Sequence, residues 1–523
     1  MNQVQGIMGI TKKKRASAPH YVSPNQLTLD GFQTPFEQKL SKDNRWVVLA
    51  HLIPWDEVCA LYIKHVGVSS TGRPAISPRV VLGSLIIKHL GNFDDRETVE
   101  QIRENMYMQY FLGYSSFTSE PPFDPSLFVE FRKRLGMDNL NAINEKIVAL
   151  KTELETSKHH SKPTDSDQDP TDNTPGSENR GRVIFDATAC PQDIAYPTDL
   201  NLLSDAREKS EELIDKLYDV SVHKRKPRTY RKIARKCYLN TAQKKIKSHK
   251  VIRKAVGSQL RFLKRNIKSI NTLLSTSANI LLEAKDQRYL LIINTLYQQQ
   301  KKMYDSFSHS IEDRIVSIHQ PHVRPIVRGK SQAKVEFGAK IHVSIIDGIS
   351  FLDELSWEAF NEGSHMMEYI ERYKQRFGCY PREILADKIY CNRANRAAVK
   401  ERGIKLLAKP LGRPSAVQKH VSPGERNPIE GKFGQAKTAY GLNRIKARLK
   451  DTSESWIACI FLVLNLVKLA GIALPCFISN MASAFSAKAT MESILLYSEE
   501  IYCRMISPLI WLKPRKVNFE VEY

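Results

Sequence analysis

Apolar side chains recur at helical spacing over the first third of the chain. The pattern is clearest in residues 80–90 and 97–111, and it returns in residues 127–135. Apolar residues at i, i+3, i+4 and i+7 are typical of a helix that buries one face. We therefore predict a compact helical domain over residues 41–154, preceded by an irregular polar segment over residues 1–40.

Residues 155–182 interrupt this pattern, because they contain no large apolar side chain. A segment of this composition cannot bury enough apolar surface to offset the entropy lost on ordering. A chain of 523 residues is also long enough for two or three folded units. We predict that residues 155–182 form a disordered linker between two of them.

Short apolar runs of the kind that form buried strands follow the linker. They alternate with helical patterns at about 201–315, at 366–377 and around Glu430. The five predicted strands lie within residues 182–189, 314–318, 334–347, 381–390 and 404–408. The first is a short apolar run that ends in Asp186, and the fourth carries Asp387 near its end.

This alternation predicts an α/β fold, with a mixed sheet flanked by helices. When residues 201–315 are set aside as a helical insertion, the order of elements matches that of an RNase H-like domain. We predict that this domain spans residues 183–475, and that residues 476–523 form a separate C-terminal segment.

Residues 456–475 form an apolar run that is long enough for a membrane span. Asn465 and Lys468 interrupt the run, and both side chains would be costly in hydrocarbon. We therefore interpret it as the buried helix of a soluble protein that has no membrane partner.

Three carboxylates are distinguished by their positions in the predicted elements. Asp186 ends the first predicted strand, Asp387 ends the fourth, and Glu430 lies on the last helix. The first and fourth strands of an RNase H-like sheet are neighbours, so the two aspartates are expected side by side. Three acids in one cleft repel each other and favour a divalent cation. Each acid also has an ordinary explanation, as a turn starter or a helix cap.

The segment RNPIEGKFGQAK places Arg426, Glu430 and Lys437 at i, i+4 and i+11. On an α-helix these three side chains share one face. The alternative is a capping box with Asn427 as N-cap and Pro428 as the first helical residue, which would leave Arg426 outside the helix. The segment alone favours neither interpretation.

The formal net charge of +23 predicts a polyanionic partner, with nucleic acid ahead of an anionic membrane surface. Residues 221–270 contain eighteen Lys or Arg and no Asp or Glu. A charge run is ordinarily a solvated face, but the lack of balancing acids favours contact with phosphate. The candidate DNA-binding residues of this block are Lys224, Arg225, Lys226, Arg228, Arg231, Lys232, Arg235 and Lys236.

The eight cysteines are spread singly, with no C-x-x-C spacing. This distribution argues against a zinc module and a disulfide framework, and it predicts a reducing, cytoplasmic environment. The basic N-terminal residues lack a following apolar segment, so they do not form a signal peptide.

Taken together, these segments resemble those of bacterial insertion-sequence transposases of the DDE, RNase H-like type. The region around 45–140 resembles the helical domain often fused to such catalytic domains. The resembling stretches are VIFDATACPQDIAYPTDL (183–200), KVEFGAKIHVSIIDG (334–348), ILADKIYCNRANR (384–396), ERNPIEGKFGQAKTAYGLNRIKARL (425–449) and, in the helical region, DPSLFVEFRKRLG (124–136).

The resemblance implies that Asp186, Asp387 and Glu430 bind metal and carry the catalysis. The cofactor would be Mg²⁺, as two ions, with Mn²⁺ able to substitute. This pair of ions suits the hydrolysis or exchange of a phosphodiester.

The resemblance also implies that Arg426 and Lys437 hold DNA phosphate near the metals, and Lys432 of the same helix is a further candidate. Related transposases often have a tyrosine three residues before the arginine, whereas this chain has Pro423. The contact made by that tyrosine is therefore not expected here.

The implied function is cleavage at insertion-sequence ends and strand transfer into target DNA. The partners would be double-stranded DNA, as terminal inverted repeats and target, and further copies of the chain in a DNA-bound homodimer or larger assembly at the nucleoid. Two alternatives are a catalytically silent DNA-binding protein derived from a transposase and a metal-dependent nuclease that does not join strands.

Overall fold

The computed structural model describes residues 39–66, 76–159, 179–276, 282–327, 335–408 and 423–485. The chain divides into two compact units, Met1–Leu466 and Val467–Tyr523. Six helices precede the sheet: α1 (Arg45–Leu52), α2 (Trp55–Val66), α3 (Pro78–Gly91), α4 (Asp95–Glu104), α5 (Met106–Phe111) and α6 (Leu127–His159). Most of the predicted segment 1–40 and most of the predicted linker lie outside the described residues.

Helix α3 is the most deeply buried of these six, with Pro78 to His89 all removed from solvent. This burial includes Lys88, whose ammonium pairs with Asp95 at 2.9 Å and donates to the Phe93 carbonyl. Burial lowers the pKa of Lys88, although the nearby Asp95 carboxylate acts in the opposite direction. Asp95 also accepts from Arg132 of α6, so one carboxylate links three helices.

Six strands form one curled, mixed sheet after the helices. They are β1 (Arg182–Pro191), β2 (Arg324–Val327), β3 (Val335–Ile346), β4 (Ile349–Ser356), β5 (Glu383–Leu385) and β6 (Lys405–Leu407). The order across the sheet is β2-β3-β1-β5-β6, and β4 also pairs with β3. β3 is antiparallel to β1, whereas β5 is parallel to β1 and β6 is parallel to β5. The predicted first and fourth strands, β1 and β5, are therefore neighbours.

Two of the strand predictions differ from the structure. Residues 314–318 do not form a strand, because Ile315 and Ile318 are buried in the apolar core of the helical insertion. The strands β2 and β4 were not predicted at all. The predicted fourth strand is also shorter than expected, since a 3₁₀ turn (Lys388–Tyr390) follows β5.

Four helices occupy the predicted helical insertion between β1 and β2. They are α7 (Asp199–Leu217), α8 (Arg231–Ala242), α9 (His249–Thr276) and α10 (Ala284–Ser306). The apolar faces of α7, α9 and α10 form a core of their own, which includes Leu213 of α7, Leu263 of α9 and Leu296 of α10.

Four more helices complete the described part of the chain: α11 (Met366–Phe377), α12 (Arg393–Glu401), α13 (Pro423–Ala439) and α14 (Lys450–Phe485). The stretch Lys450–Ala470 of α14 is long and apolar enough to cross a membrane, but 78% of its most apolar part is buried. The Asn465 side chain accepts a hydrogen bond from the backbone N–H of Ser350 on β4 and donates one to the Ser350 carbonyl. Its amide also donates to the side-chain oxygen of Asn144 on α6. The interpretation as a buried helix is confirmed.

A buried polar network centred on Asp353 joins the sheet to two helices. Asp353 accepts from His342 Nδ1 at 3.1 Å, from the Ser344 hydroxyl and from Arg376 at 2.7 Å. Arg376 of α11 also bonds Glu145 of α6 at 2.6 Å. Burial acts to raise the pKa of Asp353, but the His342 hydrogen bond and the Arg376 charge outweigh it and hold that pKa below its usual range.

We predict that Asp353→Ala lowers the free energy of unfolding by about 3–5 kcal/mol, because it leaves Arg376 and His342 without their buried partner. Urea unfolding of the full chain measures this change. The matched control is Glu401→Gln, where an 81% exposed carboxylate pairs loosely with Arg402 at 3.8 Å. The control should change stability by less than about 0.5 kcal/mol, and equal losses in the two variants would contradict the prediction.

Candidate active site

The register of the sheet brings Asp186 and Asp387 together. Val183 and Ile184 of β1 pair with Ile384 and Leu385 of β5, and continuing this register places Asp186 opposite Asp387. The prediction that Asp186 ends its strand is wrong, because β1 continues to Pro191 through its pairing with β3. It instead lies just beyond the part of β1 that β5 covers.

Local backbone hydrogen bonds orient both carboxylates. Asp186 Oδ1 accepts from the backbone N–H of Ala187, and Asp387 Oδ1 accepts from that of Lys388, each at 2.8 Å. Asp387 thereby caps the 3₁₀ turn that follows β5. The Asp387 side chain is 56% exposed and that of Asp186 is 22% exposed, so the pair lies at the surface of the sheet.

The guanidinium of Arg426 bridges the two aspartates. Its Nη1 lies 3.2 Å from Asp387 Oδ1, and its Nη2 lies 3.5 Å from Asp186 Oδ2. The Nε atom is buried and makes no hydrogen bond to the described residues. One cation therefore contacts both carboxylates and offsets part of their negative charge.

The pKa of Asp186 is raised above its ordinary value, chiefly because the carboxyl is buried. The negative charges of Asp387 and Glu362 act in the same direction. The Ala187 N–H and the Arg426 charge oppose this shift without cancelling it. A further positive charge near Asp186 would therefore stabilise its ionised carboxylate.

Helix α13 carries Arg426 and begins at Pro423, so Arg426 lies inside the helix. The capping-box interpretation, with Asn427 as N-cap, is wrong. Arg426 and Glu430 are one turn apart and therefore share a face. The buried residues Ile429, Phe433 and Ala436 pack the adjoining face of α13 against the protein.

Glu430 is exposed and makes no hydrogen bond or ion pair with either aspartate. The described residues contain no group of three His, Cys, Asp or Glu placed to bind one metal ion. Glu425, the other acid near the start of α13, forms an ion pair with Arg182.

The donor set fits a divalent cation at the aspartate pair. Two carboxylates provide the hard oxygen ligands that Mg²⁺ and Mn²⁺ prefer. The Arg426 guanidinium already holds positive charge between them, so the pair suits a shared cation. A metal ion bound to the same two oxygens, Asp186 Oδ2 and Asp387 Oδ1, would take the place of Arg426 between them.

Two regions of the chain match transposase families. Residues 34–134 match the model described as a transposase domain (DUF772), and residues 384–467 match that of a transposase DDE domain. The second match contains Asp387, Arg426 and Glu430. A curated protein of Rhizobium meliloti, the "uncharacterized protein ORF8 in nfe locus", is 31% identical over 176 residues, which cover 33% of this chain and 74% of that protein.

The chain belongs to the insertion-sequence DDE transposases. No solved structure matches it. Transposase families act on DNA, and the DDE domain of this chain belongs to a family that typically uses divalent metals.

The transposase exposes all eight candidate DNA-binding residues of its insertion. Lys226 and Arg231 form ion pairs with Asp215 of α7, at 2.8 Å each. The other six form no ion pair with the described residues: Lys224, Arg225, Arg228, Lys232, Arg235 and Lys236. On α13, Lys432 and Lys437 are partly buried rather than exposed.

Glu362 is an acid near the site that the sequence analysis did not single out. Its side chain is 15% exposed and pairs with Lys340 of β3. The amide of Asn395 donates to the neighbouring Gly363 carbonyl at 2.6 Å, which ties this loop to the region after Asp387. Glu362 lies outside every motif-bearing segment, so the sequence offered no specific signal for it.

We predict that Arg426→Ala strengthens binding of Mn²⁺ to the DNA-free transposase by about tenfold, because the aspartates lose the cation that competes with the metal. Electron paramagnetic resonance of free Mn²⁺ measures the change. Arg444→Ala is the control, since Arg444 pairs with Asp193 at 2.9 Å in a separate ion pair. Unchanged Mn²⁺ binding in Arg426→Ala would show that the guanidinium does not compete with the metal.

Proposed function

We propose that this transposase cleaves DNA at the ends of its element and joins those ends to target DNA. The observation that carries the proposal is the pair of aspartates, Asp186 and Asp387, held side by side in a family of DDE transposases. A catalytically silent binding protein has no need for two repelling carboxylates at its surface.

The topology of the sheet supports an RNase H-like catalytic domain. Strands β4, β3 and β1 are antiparallel neighbours, and β5 and β6 continue the sheet parallel to β1. This is the arrangement expected of that fold from the order of elements, with the four-helix insertion between β1 and β2.

Asp186, Asp387 and Glu430 would hold two Mg²⁺ ions, or Mn²⁺ in their place. Bound there, the metals would supply an activated attacking oxygen and stabilise the leaving oxygen of the phosphodiester. Glu430 would join the aspartates from the next turn of α13 after Arg426.

The cations of α13 would bind the substrate. Once Arg426 leaves the aspartates, its planar guanidinium can hold a phosphate through two parallel hydrogen bonds. Lys432 and Lys437 would add positive charge along the same helix, and Lys437 lies three turns from Arg426. These contacts would fix the scissile phosphate and offset the negative charge that develops there.

The remaining parts of the chain would bind and pair the DNA. The helices of residues 41–154 would recognise the terminal inverted repeats and support dimerisation, and the basic insertion would contact flanking or target DNA through its phosphates. Joining two ends requires at least two active sites, so a DNA-bound homodimer or larger assembly at the nucleoid is part of the proposal.

Cleavage of labelled duplex DNA that carries the element's own ends tests the function. We expect Mg²⁺-dependent nicking at the ends by the wild type, and its loss by at least about a hundredfold in Asp387→Ala with DNA binding retained. Glu430→Gln should be equally inactive, whereas Glu425→Gln is the control that keeps activity.

Other results of this assay would favour one of the two alternative functions or contradict the assignment of the site. DNA binding without cleavage, in both Mg²⁺ and Mn²⁺, would favour the silent binding protein. Cleavage without joined products would favour the nuclease. Full activity in Asp387→Ala would contradict the assignment of the site.

We also predict that the salt dependence of DNA binding separates paired from unpaired cations of the insertion. The double variant Lys232→Gln, Arg235→Gln should flatten the slope of log K against log salt by about 0.9 for each DNA phosphate that the variant no longer neutralises. The matched variant Lys226→Gln, Arg231→Gln removes the same charge but from residues that pair with Asp215, so its slope should change less. Equal changes would mean that these ion pairs open when DNA binds.

A further inference from the structure

A cavity of about 700 Å³ lies at one end of the insertion. It is lined by the starts of α7 and α9 and by the ends of α8 and α10. Cavities of this size hold ligands as large as a nucleotide. The basic block of residues 221–270 supplies α8 and much of α9, so the cavity opens in the most cationic part of the chain.

Aromatic rings and a guanidinium line one side of the cavity. The Arg253 guanidinium carbon lies 3.6 Å from the ring centroid of Phe307 and 4.1 Å from that of Tyr304. Phe307 is nevertheless 74% exposed, and it caps α10 with a positive φ of 55°. A large apolar ring that is exposed at the surface in a left-handed conformation is available for stacking.

Oriented polar groups line another part of the cavity. Asp199 Oδ1 accepts from Gln300 at 2.9 Å and from Arg314 at 2.7 Å. The side-chain amide oxygen of Asn201 (Oδ1) accepts from the Tyr238 hydroxyl at 3.1 Å. Gln300 is buried at 2% exposure, whereas the side chains of Asp199 and Arg314 are 26% and 23% exposed. Fixed donors and acceptors of this kind can bind the edge of a planar heterocycle.

The composition of the lining distinguishes this cavity from a groove that binds phosphate alone. Ile252, Val256 and Met303 add apolar surface to the walls, while Lys247 and His249 are exposed on its lining. A phosphate needs only cations and N–H donors, whereas a base needs an aromatic face, apolar walls and a polar edge. All of these are present.

We propose that this cavity receives one unstacked nucleobase of the DNA, with its ring against Phe307 and Arg253 and its polar edge toward Asp199 and Gln300. Lys247 and His249 would hold the adjoining phosphate. The inference rests on the proposed function, because it takes DNA to be the substrate. It adds a base-binding site that is separate from the carboxylates of the active site.

Binding of the full chain to two duplexes that differ only in one bulged thymine tests the proposal. A base that is already unpaired enters such a site at the least cost. We expect the wild type to bind the bulged duplex about tenfold more tightly than the paired one, because the stacking of one base provides a gain in affinity of about that size. Phe307→Ala and Arg253→Gln should reduce that ratio to near one, while binding to the paired duplex changes by less than about threefold.

Two control variants lie on the same helices. Leu291→Ala removes a 67% exposed apolar side chain of α10, and Arg261→Gln removes an exposed cation of α9. Neither residue lines the cavity, so both variants should keep the tenfold ratio. The wild type should also protect the bulged thymine from permanganate oxidation, and Phe307→Ala should not.

Equal affinity of the wild type for the two duplexes would overturn the base site and leave the proposed function intact. Loss of the ratio in the controls as well would also overturn it, because the effect would then be general. Failure to bind either duplex would contradict both the base site and the proposed function.

Discussion

Two carboxylates in adjacent strands repel each other, and the active site depends on what neutralises them. Sheet register fixes Asp186 beside Asp387, so neither residue can move apart to relieve the repulsion. In the DNA-free chain the compensating charge is the Arg426 guanidinium. The same helix therefore provides the competitor for a metal ion and, in the proposed function, the ligand for a phosphate. Metal binding and DNA binding would be linked through one side chain.

The packing beneath the site keeps this geometry rigid. Phe185, next to Asp186, is fully buried and contacts His342, Tyr369 and Tyr390. Tyr390 belongs to the 3₁₀ turn that Asp387 caps, so the surroundings of both aspartates share one aromatic cluster. The network around Asp353 extends this cluster to α6 and α11. A site of this kind is preorganised by its supporting residues rather than by the loops around it.

Most elements near the site could be predicted from the sequence, because their apolar patterns are local. β1, β3, α11 and α13 form where the pattern places them. The strand β4 was missed although Asp347 and Gly348, both at positive φ, form a two-residue hairpin turn that the Asp-Gly pair favours. Residues 314–318 were assigned wrongly because an apolar run does not reveal whether a sheet or a helical core will cover it.

The sequence alone could not predict which side chains of the site pair with one another. Arg426 and Asp186 are far apart in the chain, and their contact depends on how α13 packs on β1. In the same way, the pairing of Lys226 and Arg231 with Asp215 requires α7 to return beside the basic block. The cavity of the insertion also depends on four helix ends that meet only in the folded chain. Such contacts follow from tertiary packing and leave no local signal.

The most direct test of the central claim is a crystal structure of the full chain with Mn²⁺, solved with anomalous diffraction. The account predicts anomalous density between the carboxylates of Asp186 and Asp387, with the Arg426 guanidinium displaced from both. Anomalous density elsewhere in the chain, with Arg426 still bridging the two aspartates, would contradict it.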